Sequence, residues 1–514
     1  MQKRQLHQSG WLGFVLYAVI GSIVFNGTGC KDQDNPTTES YLEYRKQEFN
    51  RLAVIREKKA DDVLYWLDKQ KSIAGDPETV SKLTQYFFQF RASTTGRFDK
   101  EHFSQLNSDV ERFLAYDLCS FYDILFFNAE GTVFYSIKME DDFQKSFVDG
   151  PYSNTKLAKM IQQRPEQLSF IGYCYYGASD EPAAFYVFPI KQKSLYCGSI
   201  AIQLSINHLN HLLTERSGLG RTGETYLVNE KHLMLTESRF INNDIVLSKR
   251  IDTEAIRNEL DSVGSKVIDD YRGVRVLSSY QTFQAGNSNW RILAEIDEDE
   301  VLTDYYRHYS DTLFPKLLQL IKKHTQLAPR TTDNYPETSK QTKRVDTGEL
   351  VRSDDRRKVL FSPGIAPCTG IVARMVHNDI TYMAHLSPID VSYHVSEGEV
   401  IPLGYKSSDL VSLLIRRILY FEIKPCQIDK LRFEIVAPHS NSIKKIVDNL
   451  TNAGISLSQI KVAILDQASS VSIFYDPSDR ITLSRWYNCN SPGRLSEGIT
   501  FTSIPSLGDL ARQL

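Results

Sequence analysis

Residues 122–135 read YDILFFNAEGTVFY, and residues 224–235 read ETYLVNEKHLML. In each stretch a run rich in β-branched and aromatic residues is followed by a short polar turn and a second apolar run, which is typical of a β-hairpin. Tyr226 follows Tyr122 by 104 residues, a separation that is too long for a solenoid repeat but suits two homologous lobes. The sequence therefore predicts two β-rich lobes of similar construction.

Helical patterns precede the first lobe and follow the second. Ser40-Tyr41-Leu42-Glu43 has the form of a capping box, so we expect a helix to begin there. Gly75-Asp76-Pro77 is a stop signal for that helix, and a second helical segment is expected over 77–90. Residues 31–109 are accordingly assigned to a helical stalk, and residues 298–324 to a returning helix.

Several short motifs follow one another along the two lobes. The first lobe carries Gly150-Pro151-Tyr152 and Glu181-Pro182-Ala183-Ala184-Phe185, and the second carries GLGRTGETYLV at 218–228. In series these motifs resemble the double Cache family of ligand-sensing domains. The resemblance covers roughly residues 41–325, and it implies a long N-terminal helix with two PAS-like lobes built on antiparallel sheets. The implied lobes are a membrane-distal lobe over 110–208 and a membrane-proximal lobe with the return helix over 209–325.

The same resemblance implies a small-molecule ligand in the membrane-distal lobe. Four side chains are expected to face its pocket, namely Tyr135, Lys138, Tyr173 and Tyr186. A lysine there would suit a carboxylate ligand, although lysine side chains are more often solvated. The chemical class of the ligand stays open at this point.

Composition restricts the classes of function. A chain of 514 residues is too long for one core, so several domains are expected. The formal net charge of -3 gives no basic surface of the kind that nucleic acid requires. The seven cysteines form no CxxC pair or Cys/His cluster, so we expect no metal site, and no cofactor is predicted. Cys174 and Cys197 are compatible with either a disulfide or two buried thiols.

The N-terminus has the pattern of a targeting segment. Lys3 and Arg4 precede an apolar run over 11–25, which is typical of a signal peptide and short for a membrane span. Gly27-Thr28-Gly29-Cys30 resembles a lipobox, which implies that Cys30 is lipidated. An uncleaved anchor is the alternative, and a buried helix is a third. With residues 1–30 as the anchor, the rest of the chain is expected outside the cytoplasm, in the periplasm or at the cell surface.

A second region of candidate chemistry follows a polar stretch. Residues 326–355 are predicted to be a linker, 356–490 a separate domain, and 491–514 a C-terminal tail. Cys368 and His385 are 17 residues apart, enough for two antiparallel strands that place thiol and imidazole side by side. An imidazolium beside a thiol lowers the thiol pKa and favours the reactive thiolate, but a cysteine and a histidine in adjacent strands are also common core residues.

The stretch SPGIAPC at 362–368, followed by Met383-Ala384-His385, resembles the chemoreceptor glutamine deamidases of the CheD type. The resemblance implies an α/β sandwich in which Cys368 is the nucleophile and His385 activates the thiol and then protonates the leaving ammonia. Ser362, where the family has threonine, would orient the imidazole or bind the amide. Pro367 removes one backbone N–H that could stabilise an oxyanion.

Together these features predict an α+β protein that is an extracytoplasmic small-molecule sensor with a Cys/His amidohydrolase domain of the deamidase type. The alternatives are a sensor whose last domain is a non-catalytic docking module, and a structural surface protein. The expected partners are a small-molecule ligand, a protein substrate or partner at the last domain, and the membrane through the N-terminus. Nucleic acid, metal and cofactors are not expected.

Overall fold

The computed structural model describes the chain from Ser40 to Leu514 with short gaps. Outside the described part are residues 1–39, 96–99, 117–120, 242–244, 258–261, 326–327, 330–341, 356–357, 364, 366–367, 377–378, 387–392, 397–398, 403–406, 423–424, 438–442, 465–469, 478–480 and 488–494. The predicted targeting segment with Cys30 therefore lies outside the described residues. Among the helices that are described, none is both long and apolar enough to cross a bilayer.

Three helices precede the first sheet: α1 Tyr41–Gly75, α2 Pro77–Thr95 and α3 Lys100–Tyr116. The Ser40 hydroxyl accepts the Glu43 N–H at 3.3 Å, which caps α1 and confirms its predicted start. α1 ends at Gly75, and the Asp76 carboxylate accepts a backbone N–H in the first turn of α2. Pro77 occupies the first helical position, where the missing N–H costs nothing. The predicted boundary between the two helices is confirmed.

The first lobe is a five-stranded antiparallel sheet in the order β2-β1-β5-β4-β3. Because side chains alternate along a strand, Ile124 and Phe126 pack on one face against α1, α2 and α3. Leu125 and Phe127 pack on the other face, which α4 covers. The predicted hairpin is β1 and β2. The elements are β1 Phe121–Asn128, β2 Val133–Ser136, α4 Lys156–Gln162, β3 Ser169–Tyr176, β4 Glu181–Gln192 and β5 Leu195–Ser205.

The second lobe is a four-stranded antiparallel sheet in the order β6-β9-β8-β7. The second predicted hairpin is formed only in part, since the chain after β6 returns through an isolated bridge between Val228 and Met234. α1 contacts β8 and β9 as well as the first lobe, so it spans both sheets. The elements are α5 Asn207–Thr214, β6 Glu224–Val228, α6 Glu254–Arg257, β7 Val263–Asp269, β8 Arg275–Ala285, β9 Ser288–Asp297 and the returning helix α7 Glu298–His324.

The last third contains two sheets with an apolar core between them. The six-stranded sheet has the order β10-β22-β21-β20-β13-β11, with β10 Ala328–Pro329, β11 Thr342–Arg344, β13 Val359–Ser362, β20 Ser470–Asp476, β21 Ile481–Tyr487 and β22 Leu495–Thr500. The five-stranded sheet has the order β12-β15-β14-β18-β19, with β12 Leu350–Ser353, β14 Thr369–Met375, β15 Thr381–Leu386, β18 Leu431–Ala437 and β19 Ile460–Ile464. Leu360, Val372, Met383 and Ile473 lie in the core between the sheets.

Helices cover the outer face of the five-stranded sheet. Ala373 and Phe433 on that face pack in one cluster with Leu414 of α8 and Val447 of α9. The remaining elements are the pair β16 Tyr393–Ser396 and β17 Glu399–Pro402, the helices α8 Ser407–Arg417, α9 Ile443–Asn452 and α10 Leu507–Ala511, a π-helical turn at Ile418–Glu422, and 3₁₀ turns at Pro425–Lys430, Leu457–Gln459 and Phe501–Ser503. The predicted α+β class with antiparallel sheets is confirmed.

Helix α7 joins the second lobe to the last third. Its buried Leu317 lies in one apolar cluster with Ile296 of β9 and Val447 of α9. Polar contacts cross the same boundary: the Tyr306 hydroxyl donates to Asp448 at 3.0 Å, and Ser458 donates to Asp299 at 2.6 Å. Residues 40–514 consequently form one compact unit. The two parts share a core, whereas the sequence predicts a separate domain on a flexible linker.

Two segments that the sequence predicts to be irregular contain regular structure. Within the predicted linker, β11 and β12 each add an outer strand to a sheet of the last third. Within the predicted tail, β22 joins the six-stranded sheet and α10 packs on α7. A capping box between Ser506 and Asp509 starts α10, which buries Leu507 and Leu510. These elements are short, so their few apolar residues do not form a recognisable period in a polar stretch.

We expect Leu317→Ala to destabilise both parts of the molecule. Leu317 is 1% exposed, and its truncation leaves a cavity that should lower the free energy of unfolding by about 2–5 kcal/mol. Hydrogen–deuterium exchange measured by mass spectrometry should then quicken in β9 and in α9 together. The exposed neighbour variant Lys316→Ala is the matched control, and it should change stability by less than about 0.5 kcal/mol. Faster exchange in only one of the two parts would contradict a shared core.

Candidate functional sites

Cys368, His385 and Ser362 are brought together inside the sandwich of the last third. Cys368 directly precedes β14, and His385 lies on β15 opposite Gly370 of β14. Ser362 is the last residue of β13 in the other sheet, and its side chain meets His385 across the core. All three residues are buried, with Cys368 at 7% exposure and His385 at 1%. The catalytic roles of these residues stay predictions.

The hydrogen bonds of Ser362 determine which nitrogen of His385 carries the proton. The Ser362 hydroxyl donates to the carbonyl oxygen of Val345 at 2.8 Å, and its oxygen lies 3.0 Å from Nδ1 of His385. A hydroxyl that has already donated its proton can only accept, so Nδ1 must donate to it. Nε2 of the neutral ring is then the basic nitrogen. This hydrogen bond fixes the orientation of the ring, and orienting the imidazole is one of the two roles that the resemblance implies for Ser362.

Nε2 of His385 meets Thr347, a residue that the sequence places in the predicted linker. The Thr347 hydroxyl lies 3.3 Å from Nε2. Thr347 occupies a turn closed by the Glu349 N–H on Asp346 O at 3.0 Å. Gly348 takes the third position of this turn with φ +82°, where glycine is favoured. Asp-Thr-Gly-Glu is a recognisable turn signal, but a turn signal alone does not predict contact with a distant histidine.

The turn is also attached directly to the histidine strand. The Gly348 N–H donates to the carbonyl oxygen of His385 at 2.7 Å, and the His385 N–H donates to the carbonyl oxygen of Glu349 at 3.1 Å. These bonds continue the pairing of β12 with β15 and hold the Thr347 backbone beside the imidazole. Thr347 itself is exposed, so its hydroxyl lies at the solvent side of the buried thiol and imidazole.

Burial keeps both the thiol and the imidazole in their neutral forms. Burial lowers the pKa of His385 to about 4, and burial raises the pKa of the Cys368 thiol above its ordinary value of 9.0, an effect that the Thr347 hydroxyl counteracts in part. Both shifts favour the neutral forms near pH 7, so His385 acts here as a neutral imidazole rather than as the imidazolium that would lower the pKa of the thiol.

Cys174 and Cys197 of the first lobe do not form a disulfide. In the part of the chain that the structure describes, Cys174, Cys197 and Cys368 are free thiols. Cys174 lies on β3 and Cys197 on β5, and β4 separates these strands in the sheet. The two cysteines are therefore not on adjacent strands, and of the two alternatives the free thiols are the one observed.

The tyrosines predicted to face a ligand pocket lie instead in the helix-facing core of the first lobe. Their hydroxyls donate within the protein: Tyr135 to Asn107 at 2.9 Å, Tyr173 to the carbonyl oxygen of Ser205 at 2.8 Å, and Tyr186 to the carbonyl oxygen of Leu67 at 2.9 Å. All three rings belong to the cluster that α1, α2 and α3 cover. Their expected orientation is corrected, because strand alternation places them on the face that the helices bury.

Lys138, the fourth predicted ligand residue, is on the surface. Its ammonium lies 4.9 Å from the centre of the Tyr122 ring, a cation–π contact, and the side chain is exposed. Its backbone N–H donates to Asp123 at 3.2 Å. The solvated position that is common for lysine is the one observed here.

A buried polar group lies on the opposite face of the first-lobe sheet. Asp123 of β1 is paired in register with Gln203 of β5, and Asp142 accepts the Tyr176 hydroxyl nearby. Asp142 is 1% exposed and Gln203 is 2% exposed. Among the described residues, Asp142 Oδ1 and Gln203 Oε1 have no hydrogen-bond donor. Burial raises the pKa of Asp123 to about 6, and it also raises that of Asp142.

This group, Asp123–Asp142–Gln203, was not identified from the sequence. Asp123 interrupts an otherwise apolar strand, which is a signal that could have been used. Asp142 lies in an irregular segment 19 residues later, and no period connects it with Gln203. Buried oxygens without donors are costly, so the group is able to bind a molecule that supplies N–H or O–H donors.

Three carboxylates meet in the second lobe. Oxygens of Glu224, Asp270 and Glu295 lie within 4.8 Å of one another, a spacing that a metal ion could bridge. Each already has a protein donor: Tyr271 for Glu224, Arg272 for Asp270, and Ser278 with Tyr226 for Glu295. Burial raises the pKa of Glu295 to about 8, so this carboxyl is protonated at neutral pH. These internal bonds indicate a structural polar cluster.

Comparisons with known proteins give matches among solved structures only. No protein-family model matches this chain, and no curated protein matches it. The chain is similar to the ligand-binding domain of the Pseudomonas fluorescens chemoreceptor CtaA in complex with L-isoleucine, with 14% identity over 51% of this chain and 97% of that chain and a TM-score of 0.33.

Two further sensor domains give similar values. The periplasmic sensory domain of the Campylobacter jejuni chemoreceptor Tlp1 has 13% identity over 50% of this chain and 98% of that chain, with a TM-score of 0.35. The sensor domain of the V. cholerae histidine kinase DctB has 10% identity over 50% of this chain and 99% of that chain, with a TM-score of 0.34. About half of this chain is thus similar to sensor domains of chemoreceptors and a histidine kinase.

The neutral resting state of Cys368 predicts a particular pH profile of alkylation. The rate of its modification by iodoacetamide should rise about tenfold per pH unit from pH 6 to 9, because only the thiolate reacts. His385→Ala should leave that profile nearly unchanged, since a neutral imidazole contributes no charge to stabilise the thiolate. Mass spectrometry of the modified peptide gives the rate, with glutathione as a reference thiol in the same reaction. A plateau below pH 7 that His385→Ala removes would show an ion pair instead.

Proposed function

We propose that this protein is an extracytoplasmic small-molecule sensor whose last third is a thiol-dependent amidohydrolase acting on carboxamides, with protein glutamine as the substrate class. The proposal rests on the hydrogen bond between Ser362 and Nδ1 of His385 at 3.0 Å, which leaves the lone pair of the neutral ring on Nε2, in the same sandwich that buries the Cys368 thiol. A thiol and an oriented neutral base are the two groups that nucleophilic attack on an amide requires. The extracytoplasmic location is inferred from the N-terminal sequence pattern.

The reaction would begin with transfer of the Cys368 proton toward His385 as the sulfur attacks the carboxamide carbon. The electron pair of the C=O bond moves to oxygen and gives a tetrahedral intermediate. The protonated His385 then gives its proton to the amide nitrogen, the C–N bond breaks, and ammonia leaves. Water, deprotonated by His385, hydrolyses the thioester to a carboxylate and restores the thiol. A neutral imidazole is the form of the base that the first step needs.

The sensor role is assigned to the Asp123–Asp142–Gln203 group of the first lobe. Two buried acceptor oxygens, Asp142 Oδ1 and Gln203 Oε1, would be satisfied by a ligand that carries N–H or O–H donors. The neighbouring Asp123 adds a second carboxylate, so an ammonium group suits the site better than a neutral donor. This ligand class differs from the carboxylate that Lys138 would have suited.

A non-catalytic docking module is the second candidate for the last third. It is favoured by the same burial that keeps the thiol protonated: Cys368 lies in an apolar cluster with Val345, Leu360 and Ile365, as a structural cysteine would. In that case Cys368 and His385 would contribute only packing and hydrogen bonds.

The hydrolase is tested by ammonia release from a glutamine-rich protein such as casein, with the full chain as the enzyme. Cys368→Ser should abolish release, and His385→Ala should slow it by about 10²–10⁴-fold because the base is lost. Ser362→Ala should slow it less, through loss of ring orientation. Ser353→Ala, another buried serine of this sandwich, is the matched control. Release that continues unchanged in Cys368→Ser would exclude the thiol mechanism, and no release by the intact chain would favour the docking module.

The ligand site is tested by thermal shift with primary amines, such as putrescine and L-lysine, and with glycerol as a neutral donor. A ligand at 100 times its Kd should stabilise the protein by about 2.7 kcal/mol. The shift should grow between pH 5 and 7.5, because the carboxyl of Asp123, with a pKa of about 6, ionises in that range and attracts the ammonium.

The matched variants for this measurement are adjacent in the chain. Asp142→Asn replaces a buried carboxyl group by an amide and should abolish the shift, whereas Asp141→Asn changes an exposed carboxylate and should retain it. Stabilisation that is equal in both variants would place the ligand elsewhere, and stabilisation by glycerol alone would argue against a cationic ligand.

A further inference from the structure

A cavity of about 590 Å³ lies where the beginnings of α1, β8 and α7 meet the residues that follow α10. Its volume is within the range of sites that bind small molecules. Three arginines line it, namely Arg45, Arg275 and Arg512, and Glu298 is the one acidic side chain among the described residues of its wall. Nothing in the proposed sensor or hydrolase makes use of this cavity.

Two of the three arginines keep hydrogen-bond donors for a ligand. Arg512 is engaged by two further carboxylates that lie outside the wall. Arg45 and Arg275 share Glu298: Nη1 of Arg45 lies 3.6 Å from Oε1, and Nε of Arg275 lies 3.1 Å from Oε2. Within the described part of the chain, neither of these two guanidinium groups is paired with a second carboxylate. One carboxylate between two guanidinium groups leaves an excess of positive charge and several N–H donors.

The first turn of α1 adds further donors to the same wall. Ser40, Tyr41 and Leu42 line the cavity, so the positive end of a 35-residue helix borders it. The Tyr41 side chain is 9% exposed, and its hydroxyl has no hydrogen-bond partner among the residues that the structure describes. The guanidinium group of Arg45 lies 5.8 Å from the centre of the Tyr41 ring, so this unpaired hydroxyl belongs to the charged wall. A ligand with several anionic oxygens would suit these groups together.

Two exposed leucines border the cavity. Leu42 is 65% exposed and Leu514 is 45% exposed, and both belong to the lining. Exposed apolar side chains beside arginines suit an amphiphile that has an anionic head and a hydrocarbon chain. Ser40 follows Cys30, the predicted lipidation site, by 10 residues, and a chain of that length spans at most about 36 Å. The predicted anchor would therefore keep the cavity within that distance of a bilayer.

We propose that this cavity binds the phosphate head of an anionic phospholipid at a bilayer surface. Arg45 and Arg275 bind the phosphate oxygens, because the planar N–H groups of arginine match the geometry of phosphate. Leu42 and Leu514 contact the hydrocarbon chains. The bound head contacts the first turns of α1 and α7, the two helices that pack on more than one part of the molecule. This inference goes beyond the proposed sensor and hydrolase and depends on neither.

The test measures the unfolding temperature of the full chain mixed with lipid bilayer discs, followed by tryptophan fluorescence. Discs of phosphatidylcholine are the reference, and discs that also contain phosphatidic acid supply the anionic head. The unfolding temperature should rise with the fraction of phosphatidic acid and then level off, because a ligand of the folded state stabilises it. Glycerol 3-phosphate, added to the reference discs, supplies the phosphate without the chains and should produce a much smaller rise at the same concentration.

Arg45→Gln and Lys46→Gln are matched variants for this measurement. Each removes one positive charge from α1, but Lys46 is exposed and does not line the cavity. Arg45→Gln should raise the fraction of phosphatidic acid that gives half of the shift by about tenfold, because charge-assisted hydrogen bonds to the phosphate are lost. Lys46→Gln should change that fraction by less than about twofold, since an exposed charge is screened by salt.

Two further variants make the result independent of any folding defect in Arg45→Gln. Arg275→Gln changes a side chain on a different element and should weaken the response to phosphatidic acid by about the same factor of tenfold. Leu42→Ser changes an exposed residue, so it should fold normally. It should weaken the response to phosphatidic acid and leave the response to glycerol 3-phosphate unchanged, because only the lipid has chains for Leu42 to contact.

Three results would overturn the proposal. An equal loss of response in Lys46→Gln and Arg45→Gln would show a general attraction of the surface to anionic lipid instead of a site. A rise with glycerol 3-phosphate as large as that with phosphatidic acid, unchanged in Leu42→Ser, would show a site for soluble phosphate esters. Absence of any rise in the wild-type chain would exclude phosphate binding altogether. Ammonia release and the response to amines do not enter this measurement, so its outcome is separate from that of the proposed function.

Discussion

The apolar surface of α7 is the constraint on which the rest of the molecule depends. This helix leaves the second lobe at Glu298 and buries side chains along its whole length, among them Val301, Leu317 and Ile321. A helix with so much apolar surface requires cover on more than one side. The sheet of the second lobe covers one side, and α9, α10 and β19 cover others. Removing either the second lobe or the last third would expose apolar surface of α7 to water.

This sharing changes how a signal could pass through the molecule. With a flexible linker, ligand binding in the first lobe would have little influence on the last third. Here α1 packs on both lobes, and α7 packs on the second lobe and the last third. A displacement of either helix therefore changes the packing in more than one core. Tyr309 has non-helical φ/ψ and Pro315 lacks an N–H, so the middle of α7 is its easiest place to bend. A ligand would act by favouring one packing of these helices over another.

The sequence was sufficient for features with a strong local signal. The start of α1 at Ser40, its end at Gly75 and the first hairpin follow from capping and turn chemistry, which act within a few residues. The convergence of Cys368, His385 and Ser362 could be predicted because a resemblance supplied their long-range relation. The contacts of Thr347, and those of Asp142 and Gln203, could not be predicted from the sequence. Each contact is determined by which face of a strand or turn packs against a residue far along the chain. The orientation of Tyr135 differs from the prediction for the same reason. Alternation along a strand distinguishes the two faces of a sheet, but it does not show which face the helices cover.

The neutral state of Cys368 resolves a conflict between its proposed chemistry and its proposed location. A thiolate outside the cytoplasm is open to oxidation and to disulfide exchange, and its rate of loss follows the fraction ionised. Burial to 7% exposure and a raised pKa keep that fraction small in the free protein. The cost is a thiol that does not react unaided. A neutral base at Nε2 of His385 would let the thiolate form only as a carboxamide is attacked, so the environment that lowers reactivity at rest is compatible with turnover.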